Sequence, residues 1–313
     1  MTQLADKHVL IFFLDGVGLG AADAAVNPFV TAVLPYLTTL FGPDWYLAGP
    51  GETILTNKAS LIPTDANLGR PGRPQSATGQ AAILTGRNVP QLIGEHYGPK
   101  PNTAVAAIIH QGTLFHEVVQ AGGQAALLTP YPPGFFADVD SGRRLLSAVP
   151  LAAVSAGLPL MTADDLVHGR AISPDFTAQG WRDHLGYPDV PLLSLAQAGA
   201  RLAALAQTRH FSFFEHWPTD VRGHRGTLAE AVAHLEMVDA VLGSLLDAWD
   251  EEHGLLIVTS DHGNIEDKSS RSHTRNPALT ILAGAGQAEL AGRIHDLTDV
   301  ATAVRVTLGL PLK

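Results

Sequence analysis

The chain has 313 residues, a formal net charge of −10, 46% hydrophobic and 16% charged residues, and no cysteine. This length and apolar content support a large folded core, and the acidic balance argues against a nucleic-acid partner because neutralising phosphates requires a basic surface. Without cysteine, disulfides, iron–sulfur clusters and thiolate-bound zinc are excluded, so any metal must be bound by oxygen and imidazole nitrogen.

The predicted elements alternate between short apolar strands and helices with apolar residues at helical spacing. In chain order they are a strand at 9–14, helices at 81–84 and 113–121, a strand at 124–128, a helix at 194–207, a strand at 211–214, a helix at 227–249, strands at 255–258 and 278–282, and a helix at 298–309. Alternation of this kind predicts an α/β fold whose sheet is mostly parallel and carries helices on both faces.

A single domain is expected to span residues 1–313. The stretch from about 130 to 191 is irregular and rich in proline and glycine, so we predict a small cap or insertion there. The apolar run at 9–14 is too short for a signal peptide, and no run of about 18 or more apolar residues is present to span a membrane. These features predict a cytoplasmic protein without a membrane partner.

Three aspartates follow three of the predicted strands. Asp15 comes directly after the strand at 9–14, Asp220 shortly after the strand at 211–214, and Asp261 shortly after the strand at 255–258. Ligands of open α/β sheets bind at the carboxyl ends of the strands, so these side chains are expected to converge on one crevice. Because bare carboxylates repel each other, their convergence indicates a divalent cation. For any one aspartate read alone, capping a loop is the alternative.

Three histidines accompany these carboxylates. His224 lies four residues after Asp220, His262 is adjacent to Asp261, and His273 lies before the predicted strand at 278–282. Oxygen and nitrogen ligands without sulfur suit Zn²⁺ or Mn²⁺. A structural role is the alternative for each histidine taken alone, so the interpretation depends on the whole set.

Ser76 lies shortly before the predicted helix at 81–84. Free backbone N–H groups and the helix dipole at such a position favour a bound phosphate. A hydroxyl that also contacts a metal loses its proton more easily and becomes a nucleophile. The alternative is that Ser76 only caps the helix.

Five segments span most of the chain in a fixed order: Asp15-Gly16-Val17-Gly18, Ser76-Ala77-Thr78-Gly79-Gln80, Asp220-Val221-Arg222-Gly223-His224, Asp261-His262-Gly263-Asn264 and His273-Thr274-Arg275-Asn276-Pro277. Together they resemble the alkaline phosphatase superfamily, closest to its branch of cofactor-independent phosphoglycerate mutases and phosphopentomutases. The resemblance implies an alkaline phosphatase-like fold and two divalent ions, Mn²⁺ or Zn²⁺, roughly 4 Å apart.

The resemblance also implies roles for individual residues. One metal would be held by Asp220, His224 and His273, and the other by Asp15, Asp261, His262 and the Ser76 oxygen. Ser76 would be the nucleophile that carries the phosphoryl group. Thr78 is the alternative nucleophile, since the family uses either serine or threonine.

Phosphoester hydrolysis is the first expectation for the activity, and phosphomutase action is the second. The family's mutases insert a sizeable second domain between the nucleophile helix and the Asp-x-x-Gly-His segment, whereas only about 50 to 70 residues remain here for a cap, judged from usual element lengths. Closure that excludes water is therefore less assured. A small phosphorylated substrate is expected, with Arg87, just past the nucleophile helix, as a candidate substrate-binding residue and Arg143, Arg144, Arg170 and Arg182 in the predicted cap as further basic groups.

Two rival interpretations have a basis in the sequence. Gly16-x-Gly18-x-x-Ala21 fits the dinucleotide fingerprint after a strand, which would indicate an oxidoreductase. Against it, the charge of Asp15 would oppose a pyrophosphate, and Asn27-Pro28 interrupts the helix that the fingerprint requires. The second rival is a metal-stabilised scaffold without catalysis, which would melt in a metal-dependent way and turn over no phosphoester.

Overall fold

The computed structural model describes residues 4–313, with a seven-stranded sheet in the order β2-β3-β9-β8-β1-β7-β4 and a separate parallel pair, β5-β6. The strands are β1 (His8–Leu14), β2 (Ile54–Leu55), β3 (Ala59–Thr64), β4 (Ala125–Leu127), β5 (Pro130–Tyr131), β6 (Met161–Thr162), β7 (Phe211–His216), β8 (Gly254–Thr259) and β9 (Ala278–Gly284).

Helices cover the sheet and connect most of its strands. They are α1 (Pro35–Phe41), α2 (Ser76–Thr85), α3 (Val89–Ile93), α4 (Thr103–His110), α5 (Leu114–Gln120), α6 (Pro133–Asp140), α7 (Ala148–Ser155), α8 (Ala163–Val167), α9 (Gln179–Leu185), α10 (Leu195–Ala206), α11 (Pro218–Arg225), α12 (Leu228–Asp247), α13 (Gln287–Ala291) and α14 (Asp299–Leu308). Short 3-10 turns lie at Pro28–Val30 and Trp45–Leu47. Within residues 4–313, no helix combines the length and the apolar character needed to cross a membrane.

The sheet is mostly parallel. β1 lies in its interior and pairs in parallel with β7 and β8, and β4 continues the parallel set beyond β7. Alternate side chains of β1 enter two hydrophobic cores: Val9, Ile11 and Phe13 face one, and Leu10, Phe12 and Leu14 face the other. Because side chains alternate across a strand, a strand buried on both faces is apolar along most of its length, as β1 is from Val9 to Leu14. The predicted α/β class, with a mostly parallel sheet between helical layers, is confirmed.

β9 departs from the simple alternation of strands and helices. It follows β8 without an intervening helix and runs antiparallel to both β8 and β3. The first residue of β9 therefore lies at the end of the sheet that is formed by the carboxyl ends of the parallel strands. This direction has a consequence for the site, since the loop before β9 carries His273.

The predicted cap at about 130–191 contains two kinds of packing. α7 contributes Ala148, Val149 and Ala152 to the main core beside α2 and α4. α8 and α9 instead surround a small cluster of their own, formed by Leu166, Ala178, Trp181 and Val190. The segment thus combines a core helix with a satellite cluster, and its role as a cap stays a prediction.

Candidate metal centre

The sheet topology brings the predicted ligands to one edge. Asp15 directly follows β1, Asp261 follows β8 after one residue, and Asp220 lies in α11, which begins shortly after β7. These three strands are neighbours in the sheet. Because β9 is antiparallel to them, the loop that carries His273 begins β9 at the same edge. The carboxyl ends of the parallel strands form the crevice expected for an open α/β sheet.

The first ligand group consists of Asp15, Asp261 and His262, whose donor atoms all lie within 4.8 Å of one another. His262 Nε2 is 3.4 Å from Asp15 Oδ1 and 3.6 Å from Asp261 Oδ1. Ser76 Oγ lies 3.1 Å from the same nitrogen. All four predicted members of this group are therefore adjacent in space.

The second ligand group consists of Asp220, His224 and His273. α11 places Asp220 and His224 one turn apart on the same face. His224 Nε2 is 3.4 Å from Asp220 Oδ2 and 3.1 Å from His273 Nε2, and His273 Nε2 is 3.8 Å from Asp220 Oδ1. The ring of His262 stacks on that of His273 at 3.6 Å between centroids, so the two groups touch.

The second group's imidazoles are held in the tautomer that a metal ligand needs. His273 Nδ1 donates to the carbonyl of Pro74 at 2.8 Å, and His224 Nδ1 donates to the carbonyl of Arg271 at 2.5 Å. A carbonyl can only accept, so in the neutral rings the protons sit on Nδ1 and the Nε2 lone pairs face each other. Such outer hydrogen bonds are typical of metal-bound histidines. A cation between the lone pairs would remove their repulsion.

The carboxylates of the site are close together, and Asp15 and Asp261 are buried. Burial and the nearby charges of Asp261 and Asp220 raise the pKa of Asp15 well above its usual range. Burial and the charge of Asp220 likewise raise the pKa of Asp261. Asp15 Oδ1 is buried without a hydrogen bond. Divalent cations compensate such clustered charge, so the donor set fits two metal ions bound by oxygen and nitrogen.

Two amide side chains orient the carboxylates from outside the ligand groups. Gln80, one turn after Ser76 in α2, donates from Nε2 to Asp261 Oδ2 at 3.1 Å and to Asp15 Oδ2 at 3.4 Å. Asn264 Nδ2 donates to Asp220 Oδ1 at 2.6 Å. The sequence analysis gave these residues no role, although both lie inside the motif segments that it quoted.

The structure separates the two candidate nucleophiles. Ser76 is the first residue of α2 and faces the ligand groups. Thr78 is fully buried, and its hydroxyl donates to the carbonyls of Gln75 and Tyr97 at 3.0 and 3.3 Å and accepts from the Tyr97 N–H at 3.2 Å. Ser76 is therefore brought to the site, and Thr78 is not.

Arg87 is not brought to the site. It lies beyond the C-terminal end of α2, whereas Ser76 begins that helix. A ten-residue helix is about 15 Å long, so the two residues are well separated. Arg87 Nη1 donates instead to Gln111 Oε1 at 2.6 Å.

The dinucleotide fingerprint lacks its helix. After β1, the first helical turn is the 3-10 segment Pro28–Val30, well beyond Ala21. Without a helix directly after the glycines, no helix N-terminus is available for a pyrophosphate. Asp15, which precedes the glycines, lies in the first ligand group.

A cavity of about 750 Å³ opens onto both ligand groups and Ser76. Its outer walls come largely from residues 130–191 and are rich in aromatic rings. The lining includes Tyr131, Phe135, Trp181 and Trp217, together with the cationic Lys100 and Arg144.

Glu215 lies in the wall of this cavity and was not singled out from the sequence. It is nearly buried near the end of β7, and burial raises its pKa to about 7. The Tyr131 hydroxyl donates to Glu215 Oε2 at 3.2 Å. The sequence carries no signal for this residue, because β7 extends two residues beyond its apolar run at 211–214.

Comparisons with known proteins give a family match and several relatives. Residues 192–311 match the metalloenzyme superfamily. Over 101 residues the chain is 40% identical to the 2,3-bisphosphoglycerate-independent phosphoglycerate mutase of Cereibacter sphaeroides. This match covers 29% of this chain and 19% of the relative. Over 134 residues it is 31% identical to the enzyme of that name from Lawsonia intracellularis, covering 40% of this chain and 26% of the relative. The chain thus spans about a fifth to a quarter of these relatives' length.

Two solved structures match the chain over its whole length. The PH0037 protein from Pyrococcus horikoshii has a TM-score of 0.54 at 15% identity, covering 100% of this chain and 99% of that one. A variant of the alkaline phosphatase from the Antarctic bacterium TAB5, with Mg bound, has a TM-score of 0.58 at 10% identity and covers 100% of both chains. At these identities the likeness concerns the fold. Together with the family match, it confirms the resemblance to the alkaline phosphatase superfamily.

Proposed function

We propose that this chain, which carries a domain of the metalloenzyme superfamily at residues 192–311, catalyses metal-dependent phosphoryl transfer through a phosphoserine at Ser76. The proposal rests chiefly on one observation. Ser76 Oγ lies 3.1 Å from His262 Nε2, at the start of a buried helix and beside two groups of metal-ligating side chains. Phosphoester hydrolysis is the proposed activity.

The seven ligand residues fit two divalent ions, for which we propose Mn²⁺ or Zn²⁺. One would be held by Asp15, Asp261, His262 and Ser76 Oγ, and the other by Asp220, His224 and His273. When bound, such a pair supplies positive charge that stabilises the attacking and leaving oxygens of an in-line displacement.

The chain's own residues would position the two reacting groups. The first backbone N–H groups of α2 and the dipole of this ten-residue helix favour a phosphate beside Ser76. Attack of Ser76 Oγ on phosphorus breaks the bond to the leaving oxygen, which departs with the proton that the serine gives up. A water molecule then attacks phosphoserine, and inorganic phosphate and the free serine are formed.

The cavity supports a small anionic substrate. Of the four arginines in the predicted cap, only Arg144 lines the cavity. Lys100 lines it as well. Neither side chain forms an ion pair or a hydrogen bond within residues 4–313. The other three are engaged elsewhere: Arg143 with Asp138, Arg170 with Asp164 and Asp165, and Arg182 with the Val190 carbonyl. Lys100 and Arg144 would attract a phosphorylated compound to an otherwise acidic chain.

Mutase action is the second candidate, because the relatives are named as phosphoglycerate mutases. A mutase must keep its phosphoserine from water until an acceptor hydroxyl is in place. The cavity of about 750 Å³ leaves space for water beside a small leaving group, since one water occupies about 30 Å³. This space favours hydrolysis as the first candidate.

One experiment separates these functions. Protein loaded with Mn²⁺ or Zn²⁺ is incubated with an aryl phosphate, a phosphodiester and several sugar phosphates, and free phosphate and phosphorylation of Ser76 are followed, the latter by mass spectrometry. We expect turnover with release of free phosphate, lost in Ser76→Ala and retained in the matched variant Thr78→Ala.

The other outcomes identify the alternatives. Stable phospho-Ser76 with little phosphate release, discharged only when an acceptor sugar or glycerate is added, would indicate a mutase. Absence of both phosphoserine and free phosphate with every compound, in protein that binds its metals, would favour the scaffold interpretation and contradict the proposal.

A further inference from the structure

We propose that Glu266 is a positioning residue that fixes the relative placement of the two ligand groups, an inference that rests on the proposed metal-dependent function. Its side chain is buried between the loops of the site, with the residue 1% exposed. The carboxylate accepts four hydrogen bonds: from the N–H of Gly18 at 3.1 Å, the N–H of Asn264 at 2.7 Å, the Thr274 hydroxyl at 2.5 Å and Asn276 Nδ2 at 3.1 Å.

These four donors come from the loop after β1 and from the single loop that joins β8 to β9, and both loops carry metal ligands. Gly18 belongs to the loop after β1, which holds Asp15. Asn264 belongs to the loop after β8, which holds Asp261 and His262. Thr274 and Asn276 directly follow His273 in the loop before β9. One buried carboxylate thus ties the loop after β1 to both ends of the β8–β9 loop, and we infer that it sets the distances between their ligands.

Two glycines of the motif segments leave space for this carboxylate. A Cβ atom added to Gly18 would lie 2.7 Å from Glu266 Cδ, and one added to Gly263 would lie 3.0 Å from the same atom. Neither glycine has a positive φ, so backbone conformation does not require glycine at either position. Glu266 is among the nearest neighbours that leave no space for a side chain at either position, together with Thr274 at Gly263 and the Gly263 backbone at Gly18.

Glu266 acts on the ligands through their neighbours and touches no ligand atom. Asn264 links Glu266 to the second ligand group. Its N–H donates to Glu266, and its side chain donates to Asp220 Oδ1 at 2.6 Å. Thr274 links Glu266 to the adjacent His273, and its N–H also donates to the Gly263 carbonyl at 2.9 Å. Loss of the carboxylate would therefore release members of both ligand groups.

The test replaces Glu266 with Gln, which has the same shape. The two backbone N–H groups that donate to Oε2 cannot accept, so the new NH₂ group must replace Oε1, and the bonds from the Thr274 hydroxyl and Asn276 Nδ2 must be lost or reversed. We expect the affinity for Co²⁺, used as the probe ion, to fall about 10- to 100-fold, as is usual when outer-shell partners of a metal site are lost. The visible absorption spectrum of bound Co²⁺ should also change, which reports ligand geometry independently of turnover.

Glu117→Gln is the matched control, since it also neutralises a largely buried carboxylate but lies beside Arg305, away from the site. We expect this control to lower the melting temperature and to leave Co²⁺ affinity and spectrum unchanged. If Glu266→Gln binds Co²⁺ with the same affinity and spectrum as the wild type, the proposal is overturned, whatever the melting temperature of the variant.

A second variant covers the case in which Glu266→Gln does not fold. Thr274→Val keeps the side-chain shape and removes the hydroxyl that donates to Glu266 and accepts from the Asn276 N–H at 3.3 Å. We expect weaker Co²⁺ binding and an altered spectrum in a folded protein, and an unchanged spectrum would overturn the inference. If wild-type protein binds metal and turns over phosphoesters while both variants behave as wild type, the inference alone fails. If wild-type protein binds no divalent ion, the proposed function fails as well.

Discussion

At the scale of single residues, two pairs of neighbouring histidines have distinct environments. Those of the second ligand group donate from Nδ1 to backbone carbonyls and direct Nε2 toward carboxylates. His216 and His234 instead form a buried pair, with 2.9 Å between their Nε2 atoms and no carboxylate hydrogen-bonded to either ring. His216 Nδ1 donates to the Pro174 carbonyl, so its Nε2 accepts the proton of His234 Nε2. This pair is structural, and it gives the fold a dependence on pH.

The first prediction concerns this pair. Burial, and the charge of Arg222, lower the pKa of His234 from 6.5 to about 4. As the pH decreases, His234 is protonated near pH 6.5 in the unfolded chain but only near pH 4 in the folded protein. The free energy of unfolding therefore falls as the pH decreases through this window. His234→Gln keeps a donor toward His216 but cannot titrate. We expect its free energy of unfolding to fall less than that of wild type across the window.

The measurement is urea unfolding at a series of pH values, with chelator present so that metal binding does not contribute. Above the window the two proteins should differ by less than about 1 kcal/mol, since one neutral hydrogen bond replaces another. Parallel curves for wild type and His234→Gln throughout the acid range would contradict the assignment.

At the scale of elements, α2 is held in place from the end opposite to the site. Arg305 of α14 donates to both oxygens of Glu117 in α5, at 2.9 and 3.0 Å, and to the Thr85 carbonyl at the end of α2. The guanidinium is almost fully buried. All residues of α2 are buried as well, so this contact fixes the helix that begins with Ser76.

The second prediction follows from this contact. Arg305→Met keeps most of the side-chain volume but leaves Glu117 with Lys313 as its remaining cationic partner. Removing one member of a buried ion pair costs about 3–5 kcal/mol, and we expect a loss of at least about 3 kcal/mol in urea unfolding. Metal content should stay at the wild-type level, because the change lies at the far end of α2. A stability loss below about 1 kcal/mol would show that the pair does not hold the helix.

The elements that the sequence predicts well are those with local signals. α10 and α12 are capped by Ser194 and Thr227, and each has a capping box with Gln197 or Glu230 three residues after the cap. β1 and β8 are predictable as continuous apolar runs. β3 escaped prediction because Ser60 and Pro63 interrupt its apolar pattern. The direction of β9 cannot be predicted from its own residues, since a buried strand is equally apolar in either orientation.

The residues of the candidate site also divide into those that the sequence predicts and those that it does not. The candidate ligands could be named because metal-ligating side chains are few in kind and follow predicted strands. Glu266 and Gln80 could not, because glutamate and glutamine are common residues whose roles depend on which groups the fold places opposite them. Arg87 shows the reverse case: nearness in sequence to the nucleophile helix suggested a role, but the length of α2 carries it away from the site.

At the scale of the whole molecule, the sheet and its charge distribution define a single reactive edge. The parallel strands β7, β1 and β8 end beside the start of the antiparallel β9, so residues from Asp15 to His273 meet at one place. The chain has a net charge of −10, and the carboxyl groups of Asp15, Asp220 and Asp261 meet at this edge, those of Asp15 and Asp261 being buried. An anionic phosphoester would be repelled from such a site unless bound cations reversed the local field. The proposed function therefore depends on metal binding.

Counting the bound metal tests this dependence most directly. Protein stripped with chelator, reloaded separately with Mn²⁺ and Zn²⁺ and freed of excess ion, would be analysed by inductively coupled plasma mass spectrometry. We predict about two ions per chain for wild type. We predict about one for Asp220→Ala, which loses a ligand of the second group, and about one for Asp261→Ala, which loses a ligand of the first. Wild-type protein that retains no Mn²⁺ or Zn²⁺ would contradict the account.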